Sequence, residues 1–291
     1  MFILFMSISY ADDYIYRRGE HYKLIILIIA SDGDGYKEFT DCWREYMNQF
    51  PGVRSFFVYS DPTVQSDIHV TNDSIVHRSD ESIMPGILYK TIAAFSVCNT
   101  FFDYDYILRT NLSSFIHIPR LLKFLDMQRL DGYAGGHFNI LPDHPNKYAE
   151  HRIVNKYMGI ELNSRFIFLH GACFVLSRDV IDNLLELVTN TPERIKLIEQ
   201  VGDDVAISMM LNDCLTPSSD ERRYHYPVEF ENLCLNKYQC KSIEDPLVYG
   251  ANENIFHFRN KTDDNIRYSD RTVDAANYKN QIGFFYGTDG M

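Results

Sequence analysis

The sequence has few positive charges for its length, and this shortage limits the partners it can have. Its 291 residues include 28 lysines and arginines against 40 aspartates and glutamates, which gives a formal net charge of −12. A protein that binds nucleic acid in general needs a basic face, so this balance argues against that class. An anionic ligand would need cations gathered locally at its own site.

Cysteines are also few, and they are not arranged in short pairs. Six are present, and none belongs to a Cys-x-x-Cys motif. Zinc and a disulfide framework are therefore not expected in a chain of this length, although a bridge between Cys234 and Cys240 stays open.

Long apolar runs are missing as well. Residues 1–10 are apolar, but about 20 such residues are needed to cross a bilayer, and no basic residue precedes them as in a signal peptide. We expect them to pack on the domain as an added strand. Of the sequons at Asn72, Asn111 and Asn260, two fall in segments assigned below to the site, where a glycan would block it. The sequence thus favours a soluble cytoplasmic protein without a membrane span.

The residues that are present alternate between strand and helix patterns. Hydrophobic residues make up 45% and charged residues 23%, as in a globular protein. Residues 23–31 form an apolar run typical of a strand buried on both faces, and a loop, a helix and a second strand follow it. We predict strands at 23–31, 53–60, 105–110, 132–138 and 166–176 (the last a strand pair or a bent strand), helices at 36–50, 84–98, 119–128, 179–188 and 203–213, and a loop-rich tail after 216.

This order predicts an α/β, Rossmann-like fold with a mixed, mostly parallel central sheet flanked by helices. Ligands of such folds bind outside the carboxyl ends of the parallel strands. The loops to inspect are therefore 31–35, 60–63 and 110–114. The glycine patterns of dinucleotide-binding and P-loop proteins are absent from the sequence.

Several segments resemble one enzyme family when they are taken in order. A strand is followed by a helix with Trp43 and Arg44, and then come ESIMPGILYKT (81–91), YDYILRTNLSSF (104–115), GACFVLSRD (171–179) and GDDV (202–205). Over residues 23–211 the chain resembles the GT-A-fold glycosyltransferases, especially the β-1,3-galactosyltransferase and Fringe group and their short, soluble, virus-encoded relatives. The resemblance implies a single GT-A domain over 1–291, with a nucleotide-binding half (22–115) and an acceptor half with the C-terminal tail (116–291).

The same resemblance implies an activity. Such an enzyme moves a sugar from a nucleotide-sugar donor, most often UDP-linked, to a hydroxyl of a glycan acceptor, with inversion at the anomeric carbon. Its acidic-Asp-Val motif supplies the base, and Asp204, just before Val205, holds that position. Asp203 is the second choice. Both aspartates also suit the start of a helix, so a structural role stays open.

One departure from the family concerns the metal. Arg109-Thr110 matches the family's Lys-Thr, but residues 111–113 (Asn-Leu-Ser) replace the carboxylates that hold Mn²⁺ there. Hard cations prefer carboxylate oxygens, so we expect no required metal, with Mn²⁺ as an alternative. A literal Asp-x-Asp at 103–105 precedes its strand, at the end opposite the expected ligand edge.

Without a metal, basic side chains would balance the charge of the diphosphate. Arg109 is one candidate, and His257, Arg259 and Lys261 would share one face of a strand; a solvated edge strand is the alternative. Gly171 and Ala172 would form a floor close to the donor sugar. The full set of expected donor-binding residues is Ser31, Asp32, Lys90, Arg109, Thr110, Asn111, Ser113, Gly171, Ala172, His257, Arg259 and Lys261, and Arg267 and Arg271 are weaker candidates.

Other functions and two further histidines stay open. A retaining glycosyltransferase, a catalytically inactive nucleotide-sugar or glycan-binding protein of the same fold, and a scaffold protein each fit part of the pattern. We expect His170 to be a core residue and His137 to contact an acceptor. The sequence indicates neither the sugar, the acceptor nor the oligomeric state.

Overall fold

The computed structural model describes residues 7–10, 20–33, 35–141, 148–159, 166–214, 228–229, 234–235, 255–261 and 270–287. Within these ranges the strands are β1 (Ile8–Tyr10), β2 (His21–Ile29), β3 (Val53–Ser60), β4 (Ile68–Val70), β5 (Ser74–His77), β6 (Asp103–Asn111), β7 (Ser114–Ile116), β8 (Ala134–Ile140), β9 (Ile167–Ser177), β10 (Val228–Glu229), β11 (Cys234–Leu235) and β12 (His257–Arg259). The helices are α1 (Lys37–Tyr46), α2 (Gly86–Phe101), α3 (Ile118–Leu125), α4 (Tyr148–Met158), α5 (Arg178–Asn190), α6 (Pro192–Ile198), α7 (Asp203–Cys214) and α8 (Arg271–Tyr286).

Nine strands form one mixed sheet in the order β1-β4-β5-β3-β2-β6-β9-β8-β10. The central strands β5, β3, β2 and β6 run parallel to one another, and β9 is antiparallel to both of its neighbours, β6 and β8. The α/β class and the mostly parallel sheet flanked by helices are thus confirmed.

Strand β2 explains why the sheet is covered on both faces. Its side chains alternate between two hydrophobic cores, with Ile25 and Leu27 in one core and Leu24 and Ile26 in the other. Helices α2, α5 and α7 contribute to the first core, and α1, α3 and α8 contribute to the second. This is the arrangement that a continuous apolar run predicts.

A second, three-stranded sheet is formed by β11, β12 and β7. Strand β12 lies between the other two, and Phe256 and Phe258 are buried in the second core. The alternative of a solvated edge strand at this position is therefore wrong.

The largest error of the sequence prediction concerns the tail. Residues 271–286 form a helix of 16 residues, which packs against α1, and not a loop-rich segment. Its buried face carries Asp274, Asn277 and Gln281 beside apolar residues, so polar residues interrupt the hydrophobic period that would have indicated a helix. Helices α4 and α6 and the short strands β4 and β5 were also not predicted.

Other expected elements are found with small shifts of their ends. Residues 167–177 form one long strand with a register shift against β8, and Ile8–Tyr10 pairs with β4 as an added edge strand. In the described part of the chain, no helix is both long and apolar enough to cross a membrane. The suggested Cys234–Cys240 bridge and Arg267 fall outside what the structure describes.

Candidate functional site

The predicted ligand edge lies where the strand order reverses. From β2 the chain continues to β3 and β5 on one side and returns to β6 on the other, which makes the β2/β6 boundary a topological switch point. Ile29 pairs with Asn111, so the loop that follows β2 starts beside the end of β6. Ligands of open α/β sheets bind in the crevice at such a point. We call this end of the sheet the carboxyl edge.

The turn after β6 is fixed by hydrogen bonds from three different elements. The Thr110 hydroxyl donates to the Ala172 carbonyl at 2.9 Å, and the indole N–H of Trp43 donates to the Leu112 carbonyl at 2.9 Å. The backbone N–H of Asn260 donates to the Ser113 carbonyl at 2.8 Å. Thr110 and Ser113 are buried, so they shape the turn rather than present their side chains.

Arg109 is a buried cation at the carboxyl edge. Its side chain is 3% exposed, and Nη2 donates to Oδ2 of Asp203 at 2.5 Å. Its Nη1 donates to the amide oxygen of Asn111 at 3.1 Å. Its Nε is buried without a hydrogen-bond partner among the described residues. A buried donor left unsatisfied costs free energy, so this site has capacity for one more acceptor.

Positions 111–113 do not fit a divalent ion. The Asn111 oxygen already accepts a hydrogen bond from a guanidinium cation, and Leu112 and Ser113 are buried. In the described part of the chain, no group of three or more His, Cys, Asp or Glu side chains could hold a metal. Metal independence stays a prediction.

The two aspartates at the start of α7 have separate roles in the structure. Asp203 bonds to Arg109, whereas Asp204 accepts from the backbone N–H groups of Gly171 at 3.1 Å and of Val205 at 2.9 Å. Burial and the adjacent charge of Asp203 raise the pKa of Asp204 to about 6. A carboxylate with such a pKa is mostly ionised at pH 7 and is a stronger base than an exposed aspartate.

Gly171 allows this arrangement because it has no side chain. A Cβ at position 171 would lie 3.0 Å from Nη1 of Arg109 and 3.3 Å from Cβ of Asp204. The strand can therefore approach both the guanidinium and the carboxylate. The neighbouring Ala172 is buried and accepts the Thr110 hydrogen bond through its carbonyl.

Strand β12 brings two more basic residues to the same place. Nε2 of His257 lies 3.0 Å from the Ser114 hydroxyl, and Arg259 pairs with Ser114 in the sheet. Nη1 of Arg259 is buried without a hydrogen-bond partner among the described residues. Burial, and next the charges of Arg109 and Arg271, lower the pKa of Arg259 to about 10.

Arg271, at the start of α8, is the residue that sequence reasoning undervalued. Its guanidinium carbon lies 5.2 Å from the ring centre of Tyr36, and Nη2 donates to the Tyr36 hydroxyl at 3.4 Å. Asp274, one turn later, accepts from Nη1 at 3.3 Å. Asp270 caps this helix through its side chain. This N-cap, followed by Ala275, Tyr278 and Ile282, was the signal that could have predicted a helix beginning with Arg271.

We call Arg109, Arg259 and Arg271 the arginine cluster. Their charges act on one another, as the lowered pKa of Arg259 shows, and they come from β6, β12 and α8. Two of them keep a buried N–H without an acceptor among the described residues. Asp203 pairs with Arg109 and Asp274 pairs with Arg271, whereas Arg259 has no carboxylate partner among the described residues, so the cluster keeps a positive charge that an anion would stabilise. The cluster is therefore suited to an anionic ligand.

Lys90 does not have the donor-binding role expected from the sequence. It is 1% exposed, and Nζ donates to the Ala30 carbonyl at 2.8 Å and to both carboxylate oxygens of Glu81 at 2.8–2.9 Å. Burial lowers the pKa of Lys90, although Glu81 opposes that effect. All three of its N–H groups are used, so it holds the end of β2 rather than a ligand.

The remaining candidates also lie near the carboxyl edge, but only their burial and their position in the chain bear on their roles. Ser31 is half-buried and Asp32 is exposed, both directly after β2. Lys261 follows β12 and does not share the strand face of His257, because the strand ends at Arg259. His170 is half-buried, so the expectation of a core histidine is wrong.

The literal Asp-x-Asp lies at the opposite end of β6. Asp103 contacts His21 at 3.1 Å and Arg178 at 2.8 Å, and Asp105 contacts His21 at 3.2 Å. Asp103 and His21 are exposed, Asp105 is half-buried, and all three lie away from the carboxyl edge.

No protein-family model matches the chain, and no curated protein matches its sequence.

Proposed function

We propose that this protein is a glycosyltransferase of the GT-A type. In this proposal it moves a sugar from a nucleotide-sugar donor, of which a UDP-linked sugar is the favoured form, to a hydroxyl of a glycan acceptor. The observation that carries the proposal is the meeting of Arg109, Asn111, Asp204 and Arg259 at a switch point of an α/β sheet. The sequence separates these residues by up to 150 positions, and the fold brings them to one edge of the sheet.

The arginine cluster would bind the donor's diphosphate. Guanidinium groups bind phosphate oxygens in bidentate geometry, and they stay charged in a partly buried site. Arg109 and Arg259 each offer a buried N–H that lacks an acceptor among the described residues. The negative charge that develops on the leaving diphosphate would thus be stabilised by groups already in place.

Asp204 would act as the base. The oxygen of the acceptor hydroxyl forms a bond to the anomeric carbon while the bond from that carbon to the β-phosphate oxygen breaks. The bonding electron pair leaves with the diphosphate, and the Asp204 carboxylate takes the hydroxyl proton. Asp203 is less suited to this role because it is the ion-pair partner of Arg109, the cation that the proposal assigns to the diphosphate.

Binding and turnover test the proposal directly. We expect UDP or GDP to raise the melting temperature of the wild-type protein, because a ligand that binds only the folded state stabilises it. We also expect transfer or slow hydrolysis of a nucleotide sugar that EDTA does not reduce. Failure of every nucleotide and nucleotide sugar to bind would contradict the proposal.

A matched pair of variants tests the base. Asp204→Asn should lower turnover by about 10²- to 10⁴-fold, the usual contribution of a general base, and leave nucleotide binding in place. Asp105→Asn makes the same chemical change at the opposite end of β6 and should not alter turnover. Full activity of Asp204→Asn would favour a retaining enzyme. Nucleotide-sugar binding without turnover in the wild type would favour an inactive binding protein of the same fold. The absence of the family's carboxylates at 111–113 also supports that second alternative.

A further inference from the structure

Arg259 lies at the end of a short strand that does little to hold it. Strand β12 has three residues, and Arg259 is the last of them. In the described part of the chain β11 pairs with His257 and Phe258, whereas Arg259 pairs only with Ser114 of β7. A guanidinium binds two phosphate oxygens together only when its orientation is fixed. The orientation of Arg259 must therefore depend on contacts beyond the strand.

Asn260, the next residue, makes three hydrogen bonds through its backbone and its side chain. Its backbone N–H donates to the Ser113 carbonyl at 2.8 Å. Its Nδ2 donates to Oε1 of Gln281 at 2.8 Å, and Nε2 of Gln281 donates to Oδ1 of Asn260 at 3.0 Å. Both residues are fully buried. We call this reciprocal contact between the end of β12 and α8 the amide pair.

Helix α8 is itself bonded to the segment that follows β6. Tyr278 lies three residues before Gln281, on the same side of the helix, and its hydroxyl donates to the Ser114 carbonyl at 3.0 Å. The Tyr46 hydroxyl lies 2.9 Å from the Tyr278 hydroxyl and accepts from the N–H of Ile116 at 3.3 Å. Because the Tyr278 proton is used on Ser114, Tyr46 donates to Tyr278. Both ends of β7 are thus bonded to this pair of tyrosines.

These contacts close a ring of interactions beside Arg259. The carbonyls of the adjacent Ser113 and Ser114 accept from Asn260 and Tyr278, and the amide pair joins Asn260 to the helix of Tyr278. Every residue of the ring is buried. Paired polar groups in a protein interior favour one geometry, because breaking one bond leaves its partners unsatisfied. The ring therefore fixes the end of β12 relative to the turn after β6.

We infer that Asn260 is a positioning residue for the proposed donor site, and that with Gln281 it holds Arg259 where its guanidinium shares a diphosphate with Arg109. The inference rests on the proposed function and adds two residues to the support of its site. Both amides are buried, so they act on the donor only through their neighbours. A hydrogen-bonded amide pair has a set direction and length, which apolar packing of similar volume does not impose.

The experiment is a double-mutant cycle on nucleotide affinity. The wild type is titrated by calorimetry with UDP, GDP, ADP, CDP and dTDP, and the tightest ligand is then measured with Asn260→Leu, Arg259→Met and the double variant, well below their melting temperatures. We expect Arg259→Met to weaken binding by about 10- to 100-fold, the effect of a lost charge-assisted hydrogen bond. We expect Asn260→Leu to weaken it by about 3- to 10-fold.

The cycle distinguishes positioning from stability. If Asn260 acts through Arg259, adding Asn260→Leu to Arg259→Met should change the affinity by less than about twofold, because the effects of coupled residues do not add. The matched control is Tyr157→Phe, which removes the hydrogen bond from buried Tyr157 to Asp213 at 2.9 Å, near the end of α7. It should lower the melting temperature and leave the nucleotide affinity unchanged.

The failure of the proposed function looks different from the failure of this inference. If none of the nucleotides binds the wild type, both fail together. If Arg259→Met weakens binding and Asn260→Leu does not, the inference is overturned and the proposed function stands. Full multiplication of the two effects in the double variant also overturns it, because Asn260 would then act without Arg259. If Arg259→Met has no effect, Arg259 is not a donor contact and the inference falls.

Melting temperatures show whether each variant is folded. Gln281→Met removes the amide pair from the side of α8, and it replaces Asn260→Leu if that variant is unfolded, with the same expected loss of affinity. If both variants are unfolded, the amide pair serves folding alone and the positioning role is overturned.

Discussion

The two ends of strand β6 carry the same kind of interaction in opposite settings. At the carboxyl end Arg109 bonds to Asp203 and its guanidinium carbon lies 5.8 Å from the ring centre of Phe174. Outside the amino end Arg178 bonds to Asp103 and lies 5.2 Å from the ring centre of Tyr104. The Arg109 side chain is 3% exposed and that of Arg178 is 36% exposed.

The difference in burial distinguishes the ion pair at the candidate site from an ordinary surface ion pair. Water can replace either partner of the exposed pair, so that pair adds little to stability. The buried pair has no such substitute, and each charge depends on the other. Carboxylates and arginines in a sequence therefore indicate a site only when the fold removes them from water, as it does at the carboxyl edge.

Breaking both pairs gives the largest expected effect. Arg109→Met should lower the free energy of unfolding by about 3–5 kcal/mol, because it leaves Asp203 with an uncompensated, mostly buried charge. Arg178→Met makes the same change at the other end and should cost less than about 1 kcal/mol. Urea unfolding of both variants measures the difference, and equal losses would contradict the comparison.

A change of pH sharpens the comparison with an intermediate effect. The pKa of Asp204 rises from 3.8 to about 6 on folding, so the folded protein binds more protons than the unfolded chain between these values. The contribution of Asp204 to stability is therefore present at low pH and is lost as pH rises through about 6. Relative to Asp204→Asn, the wild type should lose about 1–2 kcal/mol between pH 4 and pH 7, after allowance for its coupling to Asp203.

The control for this effect is Asp103→Asn, whose side chain is 65% exposed. Its unfolding free energy should follow that of the wild type across the same pH range. If Asp103→Asn changes the slope as much as Asp204→Asn does, burial is not the cause.

Removal of the exposed Asp103 carboxylate together with the half-buried Asp105 carboxylate should have the smallest effect. The Asp103→Asn/Asp105→Asn double variant loses the literal Asp-x-Asp, and we expect its turnover to match the wild type with and without added Mn²⁺. Its unfolding free energy should change by less than about 1 kcal/mol. The prediction is contradicted if the double variant loses turnover and added Mn²⁺ stimulates the wild type but not the variant. That result would make the Asp-x-Asp motif a metal site.

The sequence was most informative where one residue type decides the environment. The apolar run of β2 predicted a central strand, and the order of strands and loops predicted which edge would carry Asn111. The position of Asp204 also followed from the motif, although its raised pKa did not, because that depends first on burial, which only the fold shows.

The sequence was least informative where the environment comes from distant segments. Lys90 looks like any helix lysine until Glu81 and the Ala30 carbonyl surround it. Arg271 gains its place only when α8 packs on α1, and the buried polar residues of α8 disguise that helix. The irregular pairing of residues 170–173 of β9 opposite His137 depends on how the two strands align, and a sequence pattern cannot show a register shift.

Trp43 is the only tryptophan of the chain, and its buried indole donates to the Leu112 carbonyl inside the turn after β6. All intrinsic indole fluorescence therefore originates beside Asn111 and Ser113. A ligand that shifts this turn changes the environment of the one emitting ring, so its titration can be followed by emission wavelength or quenching without any attached dye. The protein carries its own optical reporter at the place where the proposed donor would arrive.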